Sequence, residues 1–508
     1  MSDSDNKLSK FTTDELERLL HGKDKKLVPW PLVIGGILAI AATLRIAGAL
    51  NDLWLDEIWT LALLSDLARP IEIFGLRHDN NHILNSLLAW WLRDASHDIV
   101  LRVPAIAAGV TAVALSAVFA RDGDPVASRD RSSPGLRAAL AALLQGASYL
   151  MVHYQSEARG YPLALAIGLV SPLAFARARG DPRSRLAILH WAASTLALLG
   201  HATAFHILAA TAAWSVVRFR NDGLTGLSLL RAVAWWHFVP LAATASLEAG
   251  FWSRMFIGGG PQWPLVQVLA RVVAYTFGIP LSLGTAALLG AGIALVAGGI
   301  VLLSRLGSDQ WAFYLVGIAV SPTATFLLQH GTLQFERYYF IPAALTLQLT
   351  ARVLACLLAG SRASRLAAAM ATTLFLAGQA PRLEHLMKEG RGQYRLALAH
   401  IVRQTPSRPI RVATDDRFWT ALVATYHARR LGLGQVVIVP VLDTSAADWY
   451  IVPRLPDEAA PPDALRDAVG REYRLERLFD TAPLSGVRWF LFRRAAPTPS
   501  GGPPRSIP

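Results

Sequence analysis

Asp56 and Glu57 stand side by side in Asn51-Asp52-Leu53-Trp54-Leu55-Asp56-Glu57-Ile58-Trp59-Thr60, directly after a long apolar run. A carboxylate at a partly dry membrane surface is costly unless it is paired or binds a cation. Desolvation there makes it a better proton acceptor. Adjacent Asp-Glu pairs are common, so an acidic loop or helix cap is the plainer reading of the dipeptide alone. The same loop continues into His78-Asp79-Asn80-Asn81-His82-Ile83-Leu84-Asn85. His78 and His82 would share one face of a helix, and with an acidic neighbour they could hold a divalent metal. Spacing alone favours a polar loop that caps the next helix.

Three further stretches gather polar side chains between apolar runs. His153-Tyr154-Gln155-Ser156-Glu157-Ala158-Arg159-Gly160-Tyr161 is so short that its side chains must stay near the membrane surface; a simple pair of Glu157 with Arg159 is the alternative to a catalytic role. Gln329 to Tyr339 ends in Phe335-Glu336-Arg337-Tyr338-Tyr339. A guanidinium at the mouth of a span clamps phosphate bidentately or snorkels to headgroups. His201 and His206 flank another turn, where a lone interfacial histidine is usually structural.

The elements that must position these groups are membrane helices. Of 508 residues, 53% are hydrophobic and 17% charged, against roughly 25% charged in a soluble chain. Apolar runs near 29–50, 103–120, 137–152, 161–177, 186–201, 203–218, 232–248, 284–304, 310–328, 338–358 and 365–381 predict about eleven spans. The run 265–281 contains Arg271, Gly278 and Pro280 and reads as re-entrant or interfacial. Residues 1–28 form a polar cytoplasmic segment with a capping-box spacing at Thr12 and Glu15; they are unlike a removable signal peptide. The net charge of +13 comes largely from arginines in short loops (Arg121, Arg129, Arg131 and Arg137; Arg177, Arg179, Arg183 and Arg185; Arg218, Arg220 and Arg231; Arg362 and Arg365). With alternating spans these loops share a side with Lys23, Lys25 and Lys26, so that side is cytoplasmic and nucleic acid is not the expected partner. The acidic and imidazole-bearing loops then face outward together. Cys356 is the single cysteine, which excludes an intramolecular disulfide and a Cys-rich metal site.

After Arg382 the pattern changes. Strands are expected at 410–414, 436–441, 449–453 and 487–493, with helices at 394–403 and 418–430. The expectation is a transmembrane domain over 29–381, a small extracytoplasmic α/β domain over 382–494, and a disordered tail over 495–508.

In order and placement these pieces resemble the GT-C superfamily of polyprenyl-phosphate-sugar-dependent glycosyltransferases, most closely the bacterial branch related to protein O-mannosyltransferases and aminoarabinose transferases. The residues that carry the resemblance are Leu53-Trp54-Leu55-Asp56-Glu57, Asn80-Asn81-His82-Ile83-Leu84-Asn85, Leu101-Arg102-Val103-Pro104, Ser156-Glu157-Ala158-Arg159-Gly160-Tyr161 and Phe335-Glu336-Arg337-Tyr338. It covers roughly 29–381. It implies a polytopic α-helical membrane enzyme of the bacterial inner membrane, with its active site and C-terminal domain in the periplasm. Such an enzyme moves a sugar, with inversion, from a polyprenyl-phosphate donor to a hydroxyl of an envelope glycan, a lipid or a protein. The transition state is oxocarbenium-like. Asp56 falls at the acidic position expected to act as base. Glu57 and Glu157 are expected to orient the acceptor or hold a metal. Arg159 and Arg337 are the phosphate candidates, and Asn81, His82, Tyr161 and Tyr338 complete the substrate-binding set. Glu57, His78 and His82 are the ligands available should a divalent metal be used. Many members have proline after the loop histidine; here it is Ile83. A shared site requires Asp56, Glu157 and Arg337 to lie within about 20 Å of one another. The competing reading is a transporter or flippase for a lipid-linked substrate. It is disfavoured because transporters place polar groups at mid-membrane, whereas here Arg45 is the main polar interruption of the spans.

Overall fold

The computed structural model of the chain describes residues 29–122, 130–258, 263–328, 335–405, 409–416, 418–440, 447–467 and 470–495. The amphipathic helix expected near 12–20, Lys23, Lys25, Lys26, Arg129, the loop 329–334 and the tail after Ala495 lie outside the described residues.

A helix stands at each of the eleven positions where an apolar run predicts one. Trp30–Ala49, Ile99–Asp122, Ala202–Asn221, Thr285–Arg305, Trp311–Leu328 and Glu336–Leu358 are each long and apolar enough to cross a membrane. The run predicted as one span over 137–152 is broken: Pro134–Ala147 and Tyr149–Gln155 meet at 65°. The break falls at Ser148, whose extended ψ of 125° takes it out of the helix. Its freed polar groups are satisfied by neighbouring helices, as apolar surroundings demand. The Ser148 hydroxyl donates to the Thr276 carbonyl at 3.0 Å, and the Tyr149 N–H donates to Gln379 Oε1 at 2.8 Å. Tyr161–Arg177 and Leu186–Gly200 are apolar but shorter. Leu265–Phe277 is a short helix ended by Gly278 in the left-handed region at φ 76°, followed by the turn Leu281–Leu283.

The main charged interruption of the spans has its guanidinium donors used within the bundle. Arg45, fully buried, donates to the carbonyls of Ala41, Gly146 and Gln145 and from Nε to Gln155 Oε1 at 2.8 Å. At one end of the bundle, basic loop residues meet acids: Arg137 with Asp130 at 2.8 Å, Arg177 with Asp122 at 3.4 Å and Arg218 with Asp309 at 3.1 Å. The helix Ile99–Asp122, about 36 Å long at 1.5 Å per residue, runs from Arg102 beside Glu57 to this basic end. The acidic loops and the basic loops therefore occupy opposite ends.

The C-terminal region is a six-stranded mixed sheet. Its strands are β1 (Ile410–Thr414), β2 (Val436–Pro440), β3 (Trp449–Arg454), β4 (Ala464–Arg466), β5 (Glu472–Phe479) and β6 (Arg488–Arg494). The spatial order is β2-β1-β3-β6-β5-β4. β2 and β3 run parallel to β1, and the remaining pairs are antiparallel. β4 and β5 are additional to the four strands expected from sequence.

This sheet shares a core with the first polar loop. Leu53, Trp54, Leu55 and Ile58 pack with Tyr394, Leu398, Val423 and Trp489 in one buried cluster. Charged contacts fix the same junction. Arg395 pairs with Asp52 at 3.4 Å, Arg430 pairs with Asp98 at 2.8 Å, and Tyr426 donates to Asp98 at 3.0 Å. Gly486, at φ 87°, lets the chain pass so close that a Cβ there would sit 1.8 Å from the Arg391 carbonyl oxygen. The sheet is thus a wall against which the helix carrying Asp56 is set.

Candidate active site

Asp56 lies in the first turn of the helix Leu55–Ser65, where unpaired N–H groups favour an anion. Two guanidinium groups from distant parts of the chain converge on its carboxylate. Arg159 Nη1 is 2.8 Å and Arg337 Nη1 is 3.3 Å from the same oxygen, Oδ2. Asn80 completes the frame: its amide donates to the Asp56 carbonyl at 2.7 Å and to Thr60 Oγ1 at 2.9 Å, and its carbonyl oxygen accepts from Arg159. All of these groups are largely buried. The cluster carries one negative and two positive charges.

The donors are only partly used. Among the described residues the Nε groups of Arg159 and Arg337 are buried without a hydrogen-bond partner, as are the Tyr161 hydroxyl and His82 Nε2. The Arg337 guanidinium lies over the rings of Phe335, at 4.3 Å, and Tyr338, at 5.6 Å. Arg159 lies 5.7 Å from the centre of the Tyr161 ring. Behind it, Tyr161, His201 and His82 pack ring on ring at 4.1 and 4.5 Å. Burial, then the charges of His201, Arg159 and Arg337, push His82 well below its ordinary proton affinity, so it stands neutral. The reverse holds for Arg159, where burial is outweighed by the Asp56 charge and the cation is favoured. Gly160 permits this crowding: a Cβ there would lie 1.9 Å from the Gly200 carbonyl oxygen.

Glu57, one residue from Asp56, has a different setting. Arg102 grips it with Nε to Oε1 at 2.7 Å and Nη2 to Oε2 at 2.5 Å. The Ala158 N–H donates to Oε1 at 2.8 Å and the Trp54 N–H to Oε2 at 3.2 Å. Arg102 spends its other donors on the carbonyls of Ala49, Asn51 and Asp52. Glu157 is likewise closed. One oxygen takes Arg391 Nε at 2.9 Å, the Ser485 hydroxyl at 2.5 Å and His153 Nε2 at 3.1 Å. Burial pushes this carboxyl up, but the Arg391 charge and the His153 and Ser485 hydrogen bonds outweigh it and hold it well below the usual range.

His78 and His82 lie in a turn and at the cap of the helix Ile83–Leu92, not on one helical face. His78 pairs with Asp79 at 2.9 Å and packs on Trp59 at 4.3 Å, away from Glu57 and its Arg102 partner. Among the described residues no three His, Cys, Asp or Glu side chains come together as a ligand set. Asn81 braces the loop, donating to the carbonyls of Ile73 and Leu76 at 2.8 Å each. Asp56, Arg159, Arg337 and Tyr161 are thus brought together, with His82 behind them and Tyr338 beside Arg337. Glu57 and Glu157 turn to partners of their own.

Four residues of this region carry no assigned role in the sequence reading: Asn80, Arg102, His201 and Arg391. Arg102 stands in a stretch that carried the family resemblance, so its signal was present. Arg391 sits between two glycines just past a helix, a weak hint that its partners lie close.

Fold and site together define a multi-pass helical membrane protein with a charged, aromatic-walled site at the end of the bundle that meets the sheet. No protein-family model matches the sequence, and no curated protein does. Among solved structures, the chain is similar to ArnT from Cupriavidus metallidurans in the apo state, with 12% identity, 90% of this chain and 97% of that chain covered, and a TM-score of 0.46.

Proposed function

We propose that the chain is a membrane glycosyltransferase of the GT-C kind, transferring a sugar from a polyprenyl-phosphate donor to an acceptor hydroxyl at the periplasmic face of a bacterial inner membrane. The observation that carries this reading is the convergence of Arg159 and Arg337 on the one carboxylate Asp56, with guanidinium donors to spare. Inverting transfer from a phosphate ester needs one group that takes a proton from the attacking hydroxyl. It also needs cationic donors that stabilise the departing phosphate. Both sit within one hydrogen bond of each other here.

Asp56 takes the acceptor proton as the hydroxyl oxygen bonds to the anomeric carbon. The bond from that carbon to the phosphate oxygen breaks, and the polyprenyl phosphate leaves with the electron pair. Arg159 and Arg337 bind the phosphate throughout and hold its growing charge; the cluster's net charge of plus one suits a phosphodiester monoanion. Tyr161, with its free hydroxyl, and neutral His82 form the wall nearest the sugar. Glu57 and Arg102 lock the first turn of the helix so that Asp56 is presented correctly. The periplasmic assignment is supported by the basic loops, which gather at the other end of the bundle and mark the cytoplasmic side.

Lipid profiling of a strain lacking the chain tests the reading. It predicts accumulation of a single polyprenyl-phosphate sugar and loss of one sugar from an envelope component. An unchanged lipid pool with unchanged envelope glycans would contradict it.

A further inference from the structure

A cavity of about 540 Å³ lies where the sheet meets the helix Leu55–Ser65, and Trp59, Asp415, Phe418, Trp419, Arg454 and Glu458 contribute to its lining. Its place in the sheet is informative. β1 leads through the helix Trp419–Arg430 to β2 on one side, while β3 lies parallel to β1 on the other. Connections therefore depart in opposite directions from β1 and β3, leaving a crevice at their carboxyl ends. Such a switch point is where open α/β sheets bind ligands. Asp415 follows the last residue of β1, and Arg454 ends β3.

The chemistry of the lining is selective. Trp59 and Phe418 meet edge to face at 4.6 Å. Asp416 is consumed as a helix cap, accepting from the N–H groups of Phe418, Trp419 and Thr420. Glu458 accepts from the Leu455 N–H at 2.8 Å. Asp415 is exposed, and its carboxylate faces the Arg454 charge and takes backbone N–H groups of its own turn. Aromatic faces beside an exposed carboxylate and a guanidinium suit a ring that is apolar on its C–H faces and hydroxylated at its rim. The volume falls within the roughly 300–1,000 Å³ of small-ligand sites. Trp59 is three residues beyond Asp56, a neighbour on the helix surface about 5–6 Å away between Cβ atoms. We propose that this cavity is a saccharide-binding subsite that holds a sugar-bearing acceptor for transfer at Asp56. Its role in transfer rests on the glycosyltransferase reading; sugar binding itself does not. Donor phosphate and acceptor sugar then approach Asp56 from separate sides, one from the bundle and one from the sheet.

The test uses the full chain in lipid nanodiscs and saturation-transfer NMR with the methyl glycosides of glucose, glucosamine and glucuronic acid as probes. Saturation of the sugar ring protons is expected with the parent and equally with Asp56→Asn. Phe418→Ala and Asp415→Asn, both at exposed positions, are expected to weaken binding by roughly three- to tenfold, the scale of one aromatic contact or hydrogen bond. The glucuronide is expected to bind least, since three carboxylates and one guanidinium are among the described lining residues. Absence of saturation with all three probes, indifference to both substitutions, or binding of acidic peptides in place of glycosides would overturn the subsite. If the cavity variants lose glycoside binding while the parent transfers no sugar from any polyprenyl-phosphate donor, the transferase reading fails and the subsite stands; if Asp56→Asn transfers at the parent rate, only the role of Asp56 as base fails. If transfer depends on Asp56 but no glycoside binds, the subsite alone fails.

Discussion

Asp56 and Glu157 are two buried carboxylates at the same end of the bundle, each held by arginine, and they differ in what is left over. Around Glu157 one carboxylate oxygen takes Arg391, His153 and Ser485, and Arg391 spends its other donors on the carbonyls of Gly48 and His153 and on Ser156, so that its guanidinium is fully used although His153 Nδ1 has no partner among the described residues. Around Asp56 the two arginine Nε groups, the Tyr161 hydroxyl and His82 Nε2 remain unpartnered among the described residues. A network whose guanidinium donors are all used joins parts of a fold; one with guanidinium donors to spare has them ready for a ligand. Glu157 joins the bundle to the sheet domain, and Asp56 is where the proposed function places the substrate. Glu57 with Arg102 belongs with Glu157 in this contrast.

The contrast can be broken or sharpened by substitution. The largest effect is expected from Arg159→Gln with Arg337→Gln, which removes the donors for the leaving phosphate. Transfer per folded molecule, measured with a purified polyprenyl-phosphate sugar, should fall by about 10²–10³ or more. A rate within about twofold of the parent would remove the phosphate role. Next comes Arg102→Met, which leaves Glu57 buried and unpaired and should destabilise by about 3–5 kcal/mol. Thermal unfolding in detergent should recover much of that loss in the double variant Arg102→Met with Glu57→Met. A single variant as stable as the parent would show that the pair is not what fixes this turn. Tyr394→Phe removes a hydroxyl that donates to the Arg391 carbonyl at 2.8 Å and accepts from the Val487 N–H. A loss of about 1 kcal/mol is expected, read as a lower unfolding temperature with unchanged transfer.

The smallest effect is a pH dependence. The folded state holds Glu157 below its ordinary value of 4.5. Its contribution to stability is therefore complete above that pH and is lost as pH falls below it, when the unfolded chain takes up the proton first. The gap in unfolding temperature between the parent and Glu157→Gln should be constant from about pH 6 to 8 and narrow below about pH 4.5. A gap that widens on acidification would contradict the sign of the shift.

Part of this contrast was legible in the sequence, and part was not. Helix positions followed from apolar runs because a bilayer imposes length and composition together. The break at Ser148 was hidden, since its hydrogen bonds go to Thr276 and Gln379, more than a hundred residues away. Strands β1, β2, β3 and β6 announced themselves as apolar runs. β5, Glu-Tyr-Arg-Leu-Glu-Arg-Leu-Phe, did not, because a register shift between Leu475 and Arg477 interrupts its alternation. Asp56 was legible as a costly carboxylate at a span's end. Glu57 and Glu157 satisfied the same criterion, and only their partners set them apart. Arg337 reaches Asp56 across 281 residues of sequence, a meeting that no local pattern encodes.

The most direct test of the central claim is a paired measurement of sugar transfer and unfolding temperature for Asp56→Asn and Glu157→Gln, each purified intact. The account predicts that Asp56→Asn loses transfer by about 10²–10⁴ while unfolding close to the parent temperature. It predicts that Glu157→Gln unfolds well below the parent while each folded molecule still transfers sugar. Transfer by Asp56→Asn at the parent rate, or abolished transfer in a Glu157→Gln protein of parental stability, would contradict it.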